Sequence, residues 1–342
     1  MAKPAGASCN LACHYCYYLD HGSGHAPMSE HTLEEYVRQY LAMQTTGHAL
    51  FTWHGGEPML RPLSFYRKAL SLQRKYANGL HIENSIQTNG TLLTPEWCQF
   101  LHDNHWLVGI SIDGTQAMHD AHRLDRHGQP TWSRVIEGIR LLQHYRVEWN
   151  AMATVHDANI HQPLEFYRYF RDTLRCRYLQ FTPIVEADGH TLLPSAVTPE
   201  DWGRFCTAIF DEWVSRDVGH TFVQLFDATL ANWVGHPPGL CTLAPHCGHC
   251  GIIEANGDVY SCDHFVYPHH RLGNIHEHTL IDMMYGPQQT RFSAKKQRHL
   301  PPACRRCRWL FACNGECPKN RIANAHNYLC EGYRHYFSHV AP

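Results

Sequence analysis

The chain has 342 residues, of which 44% are hydrophobic, and a formal net charge of −2 at pH 7. This length supports one large hydrophobic core and a second, smaller one. The balanced charge and the lack of a basic run argue against nucleic acid or a membrane surface as a partner. No apolar stretch is long enough for a signal peptide or a membrane span, so we expect a cytoplasmic protein. In that compartment the 15 cysteines indicate metal or redox chemistry rather than disulfides.

The first motif is a cysteine loop, "CNLACHYC", which runs from Cys9 to Cys16. A structural zinc site normally has four protein ligands, whereas this loop offers three thiols without a regularly spaced fourth. Iron–sulfur cubanes are also held by cysteine thiolates, normally four. A cubane held by Cys9, Cys13 and Cys16 would leave one iron open to another ligand. The spacing therefore predicts a reactive site.

After the cysteine loop, short β-branched and aromatic runs alternate with helical stretches. This serial β/α pattern predicts a parallel sheet that curls towards a barrel. Because the cysteine loop starts only nine residues from Met1, we expect the first strand to be short. The predicted strands are "ALFTWHGGEP" (49–58), "HIENSIQTNG" (81–90), "WLVGISIDG" (106–114), "VEWNAMATV" (147–155) and "RYLQFTPIV" (177–185), with helices at 62–76, after the N-cap Thr94, at 132–145 and between the last two strands.

Three of these strands end in the turns "GGEP", "QTNG" and "SIDG". Ligands of parallel α/β sheets bind beyond the carboxyl ends of the strands, so we expect the three turns to share one mouth. Gly-Gly after a strand is usually only a turn, but glycines also let a ligand approach the backbone. Glu57 could fix a cationic amino group there. The mouth would suit a molecule with an amino-acid head and a positive sulfur.

A second cysteine group lies between Cys241 and Cys330. Its spacings suit two cages of four thiolates, which could hold iron–sulfur clusters or zinc. Spacing alone does not decide between them, and Cys250 has no assignment. Three further cysteines, Cys98, Cys176 and Cys206, are predicted core residues because free cysteine behaves as a small hydrophobe.

The cysteine loop followed by "GGEP" resembles the combined signature of radical S-adenosylmethionine (SAM) enzymes. The resemblance implies a partial (β/α)6 TIM-like barrel, which we expect over residues 1–220. It also implies that Cys9, Cys13 and Cys16 hold a 4Fe-4S cluster whose open iron binds SAM. Reduction of the cluster would then release a 5′-deoxyadenosyl radical that takes a hydrogen atom from the substrate. The residues implied to line the SAM pocket are Tyr15, Gly55, Gly56, Glu57, Ser111, Arg123 and the backbone at Val185.

The order of the C-terminal cysteines resembles the SPASM domain of peptide-modifying radical enzymes, expected here over residues 221–342. The resemblance implies two auxiliary 4Fe-4S clusters, so that the chain would carry three clusters in all. Full ligation by cysteine leaves electron transfer or structure as their roles. The implied ligands are Cys241, Cys247, Cys262 and Cys317 for auxiliary cluster I, and Cys304, Cys307, Cys313 and Cys330 for auxiliary cluster II.

Within the SPASM enzymes, the chain is most similar to the anaerobic sulfatase-maturating enzymes, through "MAKPAG", "CYYLD" and "NGDVYSCDHFVYP". The resemblance implies oxidation of a cysteine or serine, within a C/S-x-P/A-S-R segment of a sulfatase, to Cα-formylglycine. It further implies a flavodoxin or ferredoxin type of reductant, and we expect a monomer. His54 departs from the family, where glutamine is frequent, and this puts the substrate-side contacts in doubt.

Asp263 matches the catalytic base of that family, and Tyr18 matches a residue beside the base. An aspartate with a pKa near ~3.9 must have its pKa raised by burial, or must wait until the substrate radical acidifies its own heteroatom. The alternative is that Asp263 caps a strand end and that Tyr18 only packs. Two other functions stay open: a different SPASM maturase that crosslinks ribosomal peptides, and a non-catalytic electron-transfer or zinc protein.

Overall fold

The computed structural model describes residues 1–19, 26–188, 191–249, 251–322 and 326–341, so Cys250 lies outside the described residues. The chain forms two compact units that interleave along the sequence. The predicted domain boundary at 220/221 stays a prediction. Unit 1 comprises Met1–Ile110, Arg123–Trp149 and His249–Phe292, and unit 2 comprises Ser111–His122, Asn150–Gly248 and Ser293–Pro342.

The main sheet has six parallel strands, which confirms the fold class expected from the serial β/α pattern. Buried and exposed residues alternate along its first strand, as in a half-buried sheet edge. Two very short strands between the fifth and sixth strands pair only with each other. In chain order the strands are β1 (His48–Trp53), β2 (His81–Thr88), β3 (Leu107–Ser111), β4 (Trp149–Val155), β5 (Tyr178–Pro183), β6 (Ala187–Asp188), β7 (Thr191–Leu192) and β8 (Phe222–Val223), and β6 and β7 stand outside the main sheet.

Polar caps fix the starts of several helices. The hydroxyl of Thr94 accepts the backbone N–H of Trp97 at 3.3 Å, as the sequence predicts. A short helix, Gln116–Asp120, occupies part of the segment where only a polar loop was expected. The helices are α1 (Glu30–Ala42), α2 (Leu63–Tyr76), α3 (Pro95–Asp103), α4 (Gln116–Asp120), α5 (Trp132–His144), α6 (Pro163–Arg168, continued by a π-helical turn), α7 (Pro199–Arg216), α8 (Gln224–Trp233), α9 (Leu280–Tyr285), α10 (Pro287–Arg298), α11 (Pro302–Arg305), α12 (Leu310–Cys313) and α13 (Cys330–Val340).

Across the described ranges, none of the helices has both the length and the apolar character that a membrane span requires.

The core of unit 1 is aromatic. Trp53 on β1 is fully buried and lies 5.7 Å from the ring of Tyr66 and 6.4 Å from that of Trp106. Its indole N–H donates to Asn84 at 3.0 Å, so the polar atom of this large side chain is satisfied inside the core. The end of β1, where the "GGEP" turn begins, is therefore held rigidly.

Within unit 1, a single N-terminal residue joins strand β1 to a smaller sheet. Ala2 forms parallel bridges with Trp53 of β1 and with Ile253. Its N–H donates to the carbonyl of Thr52, and its own carbonyl accepts from His54, both at 2.9 Å. The short first strand that the sequence predicts is thus reduced to the bridges of this one residue. The small sheet is antiparallel and consists of β9 (Ile252–Ile253), β10 (Asp258–Tyr260) and β11 (Arg271–Asn274).

In unit 2, α7 packs closely against α13. Gly203 and Gly332 face each other across this contact, and a Cβ atom added at Gly332 would lie 2.2 Å from the carbonyl oxygen of Pro199. The glycines therefore allow the two helix backbones to approach each other.

The three predicted core cysteines are confirmed as buried, at Cys98, Cys176 and Cys206.

Replacing Gly332 by alanine should destabilise unit 2. Alanine gains helix propensity worth about 1 kcal/mol, but overpacking costs about 1–3 kcal/mol, and a clashing backbone carbonyl cannot rotate away. We expect the midpoint of thermal unfolding to fall by about 3 °C or more. Val214→Ala, at an exposed position of α7, is the control and should change it little. An unchanged midpoint for Gly332→Ala would contradict the close contact.

Candidate active site

The three thiols of the cysteine loop, those of Cys9, Cys13 and Cys16, are half-buried. The sulfur of Cys9 accepts the backbone N–H of Leu11 at 3.4 Å and the side-chain amide of Asn89 at 3.8 Å. The N–H of Cys16 donates to the carbonyl of Cys13 at 3.1 Å, which closes a tight turn. Burial and the neighbouring charges of Glu57 and Cys16 raise the pKa of the Cys9 thiol to about 11. Three thiols in one tight loop, one of them supplied with N–H donors, fit the thiolate ligands of an iron–sulfur cluster.

The "GGEP" turn makes room for this loop. The N–H of Gly56 donates to the carbonyl of Gly6 at 2.9 Å, and the N–H of Glu57 donates to that of Ser8 at 2.8 Å. A Cβ atom at Gly56 would lie 2.3 Å from the Ser8 oxygen. Gly55 has φ +123°, which L side chains rarely adopt. Both glycines thus permit the close approach of the chain's own cysteine-bearing segment.

The Glu57 carboxylate is fully buried. It accepts the backbone N–H groups of Met59 at 2.9 Å and Asn89 at 2.8 Å. The hydroxyl of Thr88 donates to it at 2.8 Å. Burial raises the pKa of Glu57 to about 7, although these donors oppose the rise. Because its oxygens already bind the chain's own donors, Glu57 braces the "GGEP" turn against the end of β2, and direct contact with SAM stays a prediction.

The "QTNG" turn also reaches the cysteine loop. The side-chain amide of Asn89 donates to Asn10 at 2.8 Å, and that of Asn10 donates to Thr91 at 2.8 Å. Two of the three turns predicted to share a mouth therefore lie beside the cysteines. The third, "SIDG", contains Ser111 and belongs to unit 2, so its place at that mouth stays a prediction.

Tyr15 and Arg123, both predicted to line the SAM pocket, lie together in unit 1. The Arg123 guanidinium is 5.5 Å from the centre of the Tyr15 ring. The N–H of Ala12 donates to the carbonyl of Leu124 at 2.9 Å, which ties the cysteine loop to the segment that carries Arg123. Val185 belongs to unit 2, and its carbonyl accepts the ammonium of Lys319 at 3.4 Å.

Asp263 lies at the centre of a charged cluster in unit 1. The ammonium of Lys3, which is fully buried, is 2.6 Å from its Oδ1. The hydroxyl of Tyr17 donates to its Oδ2. Nineteen per cent of the Asp263 side chain is exposed. The carboxylate is thus held on both oxygens and still reaches open space.

The charge of Lys3 decides the protonation state of this carboxyl. Burial is the largest single influence on the pKa of Asp263 and would raise it, but the charge and hydrogen bond of Lys3, together with smaller influences nearby, outweigh burial. The pKa of the carboxyl therefore lies well below its usual range. Of the two possibilities raised by the sequence, the structure therefore does not support a base whose pKa is elevated by burial.

Tyr18 lies against Lys3 and Glu254. Its hydroxyl donates to Glu254 at 2.6 Å, and the Lys3 ammonium lies 3.3 Å from the centre of its ring. Tyr18 is 3% exposed, so it does not pack on the surface. Tyr17, the preceding residue, makes the direct hydrogen bond to Asp263. The catalytic role predicted for Tyr18 stays a prediction.

Sequence reasoning missed Lys3 and Tyr17 as site residues, although both lie in segments that carried the family resemblance. His54 was noticed, but its contacts were not predicted. Its Nδ1 accepts the N–H of Gly55 at 2.7 Å, which leaves the ring proton on Nε2. Burial lowers the pKa of His54, so this ring is neutral beside the charged pair.

Three of the ligands predicted for auxiliary cluster I lie in unit 2, whereas Cys262 lies in unit 1. The buried ammonium of Lys296 donates to the carbonyls of Cys241 and Thr242, both at 2.7 Å. Electrostatic interactions also link Lys296 to Cys247 and Cys317. A buried cation among thiols fits a site that gathers thiolate charge. The complete set of four ligands stays a prediction.

The four thiols predicted for auxiliary cluster II line a single cavity of about 740 Å³ in unit 2. Burial, the charge of Glu316 and the neighbouring thiols raise the pKa of Cys313 to about 12. These free thiols around one cavity fit a cubane with full cysteine ligation. The thiols are those of Cys304, Cys307, Cys313 and Cys330.

Family models match both parts of the chain. The Radical SAM superfamily matches residues 4–170, and the SPASM iron–sulfur cluster-binding domain matches residues 246–308. The expected radical SAM fold with a SPASM domain is therefore confirmed.

Relatives match from end to end. A serine-type anaerobic sulfatase-maturating enzyme of Bacteroides thetaiotaomicron is 52% identical over 100% of this chain and 89% of its own length. Another serine-type enzyme, from Klebsiella aerogenes, is 37% identical over 99% of this chain and 84% of its own length. A cysteine-type enzyme of Clostridium perfringens is 31% identical over 100% of this chain and 96% of its own length.

Solved structures agree with these relatives. "Native anSMEcpe with bound AdoMet" matches with a TM-score of 0.90 and 31% identity, covering 99% of this chain and 95% of that chain. "Native anSMEcpe with bound AdoMet and Kp18Cys peptide" matches with a TM-score of 0.91. The chain belongs to the anaerobic sulfatase-maturating enzymes of the radical SAM superfamily.

Proposed function

We propose that this protein oxidises a serine of a sulfatase to Cα-formylglycine, with SAM and three 4Fe-4S clusters as cofactors. The observation that carries the proposal is the pairing, in unit 1, of a three-cysteine loop with an ionised carboxylate held by a buried lysine. The cysteine loop suits radical generation, and the carboxylate suits removal of a proton. Formylglycine formation from an alcohol needs both.

Serine is the proposed target because of the relatives. The enzymes that are 52% and 37% identical carry the serine-type name, whereas the cysteine-type enzyme is 31% identical. The substrate would be a sulfatase segment of the form S-x-P/A-S-R. These end-to-end similarities also favour a sulfatase-maturating enzyme over a SPASM maturase that forms crosslinks.

The cysteine loop would hold the radical SAM cluster through Cys9, Cys13 and Cys16. Bound there, the cluster and SAM would supply the radical that removes a hydrogen atom from the serine β-carbon. Glu57 would brace the "GGEP" turn beside the SAM pocket, and its direct contact with SAM stays a prediction. The chain's other residues proposed to line the SAM pocket are Tyr15, Gly55, Gly56, Ser111, Arg123 and the backbone of Val185.

Asp263 would take the hydroxyl proton. Once the β-carbon has lost a hydrogen atom, its hydroxyl group is far more acidic, so a carboxylate that is already ionised can accept the proton at that stage. Lys3 and Tyr17 would hold Asp263 in place, and Tyr18 would position Lys3 through its ring. Loss of one electron from the deprotonated carbon radical then completes the C=O bond.

The auxiliary clusters would accept that electron. Cluster I would be held by Cys241, Cys247, Cys262 and Cys317, and cluster II by Cys304, Cys307, Cys313 and Cys330. An external carrier of the flavodoxin or ferredoxin type would supply the electron that starts each turnover. We further propose a monomer that works in the cytosol.

A pair of peptides tests the reaction and its target. Under anaerobic conditions, with SAM and dithionite, a peptide with S-x-P-S-R should lose two hydrogens from its serine, as measured by mass spectrometry. The matched control differs only in having cysteine at that position. Conversion of the cysteine peptide alone would contradict the serine assignment, and conversion of neither peptide would contradict the proposed reaction.

Replacing Asp263 by asparagine should uncouple two products. Asparagine keeps the shape but cannot take the proton, so 5′-deoxyadenosine should still form while formylglycine falls by a factor on the order of 10² or more. Glu254→Gln is the matched control because Glu254 is the other carboxylate near Lys3, at 3.7 Å. An unchanged ratio of the two products in Asp263→Asn would rule out the catalytic role.

Replacing Cys304 and Cys307 together by alanine should remove the iron of one cage. We expect about four of about twelve irons to be lost, together with part of the folded protein, because metal binding and folding are coupled. The control variant is Cys176→Ala, which changes a buried cysteine of the same unit. Its iron content should equal that of the unmodified enzyme. Full iron content in the double variant would contradict the cage.

A further inference from the structure

The cysteine cage of auxiliary cluster II, formed by Cys304, Cys307, Cys313 and Cys330, lies in a strongly basic part of the chain. Residues 283–315 contain seven lysines and arginines and no aspartate or glutamate, although the whole chain has a net charge of −2. Of these seven, Lys296 is buried, whereas the arginines inside the cage motif are exposed. The excess positive charge at the cage is therefore on the surface.

Two arginines lie between the cage residues Cys304 and Cys307 and a third follows them, and we call Arg305, Arg306 and Arg308 the basic rim. Arg306 and Arg308 border the cavity lined by the cage thiols. Within the described ranges, no carboxylate is ion-paired with any of the three. Glu331 is the one acidic residue among those that line the cavity, and it is paired with Arg334 at 3.0 Å.

Two of the three rim arginines, Arg305 and Arg308, are held in place. The Arg305 guanidinium donates to the carbonyls of Leu300 and Arg298, at 3.1 and 3.0 Å, which ties α11 to the end of α10. The Arg308 guanidinium lies 4.3 Å from the centre of the Trp309 ring. Ordered arginines lose less conformational freedom when a partner binds.

An exposed aromatic side chain lies in the same segment. Phe311 is 50% exposed, and its ring is 6.4 Å from that of Trp309, the ring on which Arg308 stacks. A small apolar centre beside charged groups is the usual composition of a transient protein interface.

We propose that the basic rim and Phe311 form the docking surface for a small acidic electron-carrier protein. The proposal rests on the proposed function, in which the cage of Cys304, Cys307, Cys313 and Cys330 holds a cluster that exchanges electrons. Unpaired positive charge on the surface attracts an acidic partner and orients it on encounter. A carrier bound there would have its redox group next to the cage.

Compensation of the cluster's own negative charge is the competing explanation for these arginines. Buried cations such as Lys296 suit that role because they are not screened by water. Exposed guanidinium groups contribute less to it, and a surface Phe311 contributes nothing. The two explanations predict different results when the arginines are neutralised.

The test measures binding of a purified acidic 2Fe-2S ferredoxin to the cluster-loaded enzyme, at low and at high ionic strength. The double variant Arg306→Gln/Arg308→Gln should bind the ferredoxin more weakly. Its dissociation constant should rise by about tenfold or more at low salt, and by less at high salt. The control variant is Arg67→Gln with Arg140→Gln, which neutralises two exposed arginines of surface helices in unit 1. It should bind like the unmodified enzyme.

Three outcomes would overturn the proposal. The first is that the rim and control variants bind ferredoxin with equal affinity. The second is loss of iron from the rim variant, which would assign the arginines to the cluster. The third is that a single-stranded oligonucleotide competes equally well for binding, which would indicate an unspecific anion patch. Phe311→Ser gives an independent check and should weaken binding at both ionic strengths.

Turnover separates this proposal from the proposed function. The rate with ferredoxin as the electron source, divided by the rate with dithionite, should fall in the rim variant and not in the control. If the unmodified enzyme forms no formylglycine with dithionite but still binds ferredoxin through the rim, the proposed function fails and the docking surface stands.

Discussion

The arrangement of unit 1 depends on the backbone pairing of one residue, Ala2, between β1 and β9. This pairing fixes the direction of the chain on both sides of it. The pairing buries the side chain of Lys3 against Asp263. It also places the residues after Lys3 against the "GGEP" turn, where only glycine leaves enough space. A buried ammonium group is costly unless it is paired, so the pairing of Ala2 and the ion pair of Lys3 stabilise the same geometry.

Two buried lysines lie where negative charge must gather. Lys3 contacts a carboxylate beside one predicted cluster ligand, and Lys296 binds the backbone next to another. Cysteine ligands are thiolates, and each cage therefore adds negative charge to a poorly solvated region. The exposed arginines of unit 2 face solvent instead, where charge acts on molecules that approach. The chain thus separates positive charge that lies in the interior from positive charge that faces solvent.

The elements that the sequence predicts well are those with local signals. The strand that ends at Trp53 has a clear apolar pattern followed by a glycine turn, and the cysteine spacings are visible without any structure. Lys3 and Asp263 are 260 positions apart, and no periodicity connects them. Tyr17 and Tyr18 are neighbours with different partners, which only the backbone direction decides. Strands of two residues, such as β8 and β9, are too short to show any alternation.

The bridge between Ala2 and Ile253 also sets an order of events during synthesis. The two residues are 251 positions apart, so at 5–20 residues per second the earlier one leaves the ribosome roughly 10–50 s before its partner exists. Throughout that interval the thiols of Cys9, Cys13 and Cys16 have no completed fold around them. Thiols in this state are open to oxidation. The nascent chain therefore needs a reducing environment during synthesis, before it binds its cofactors.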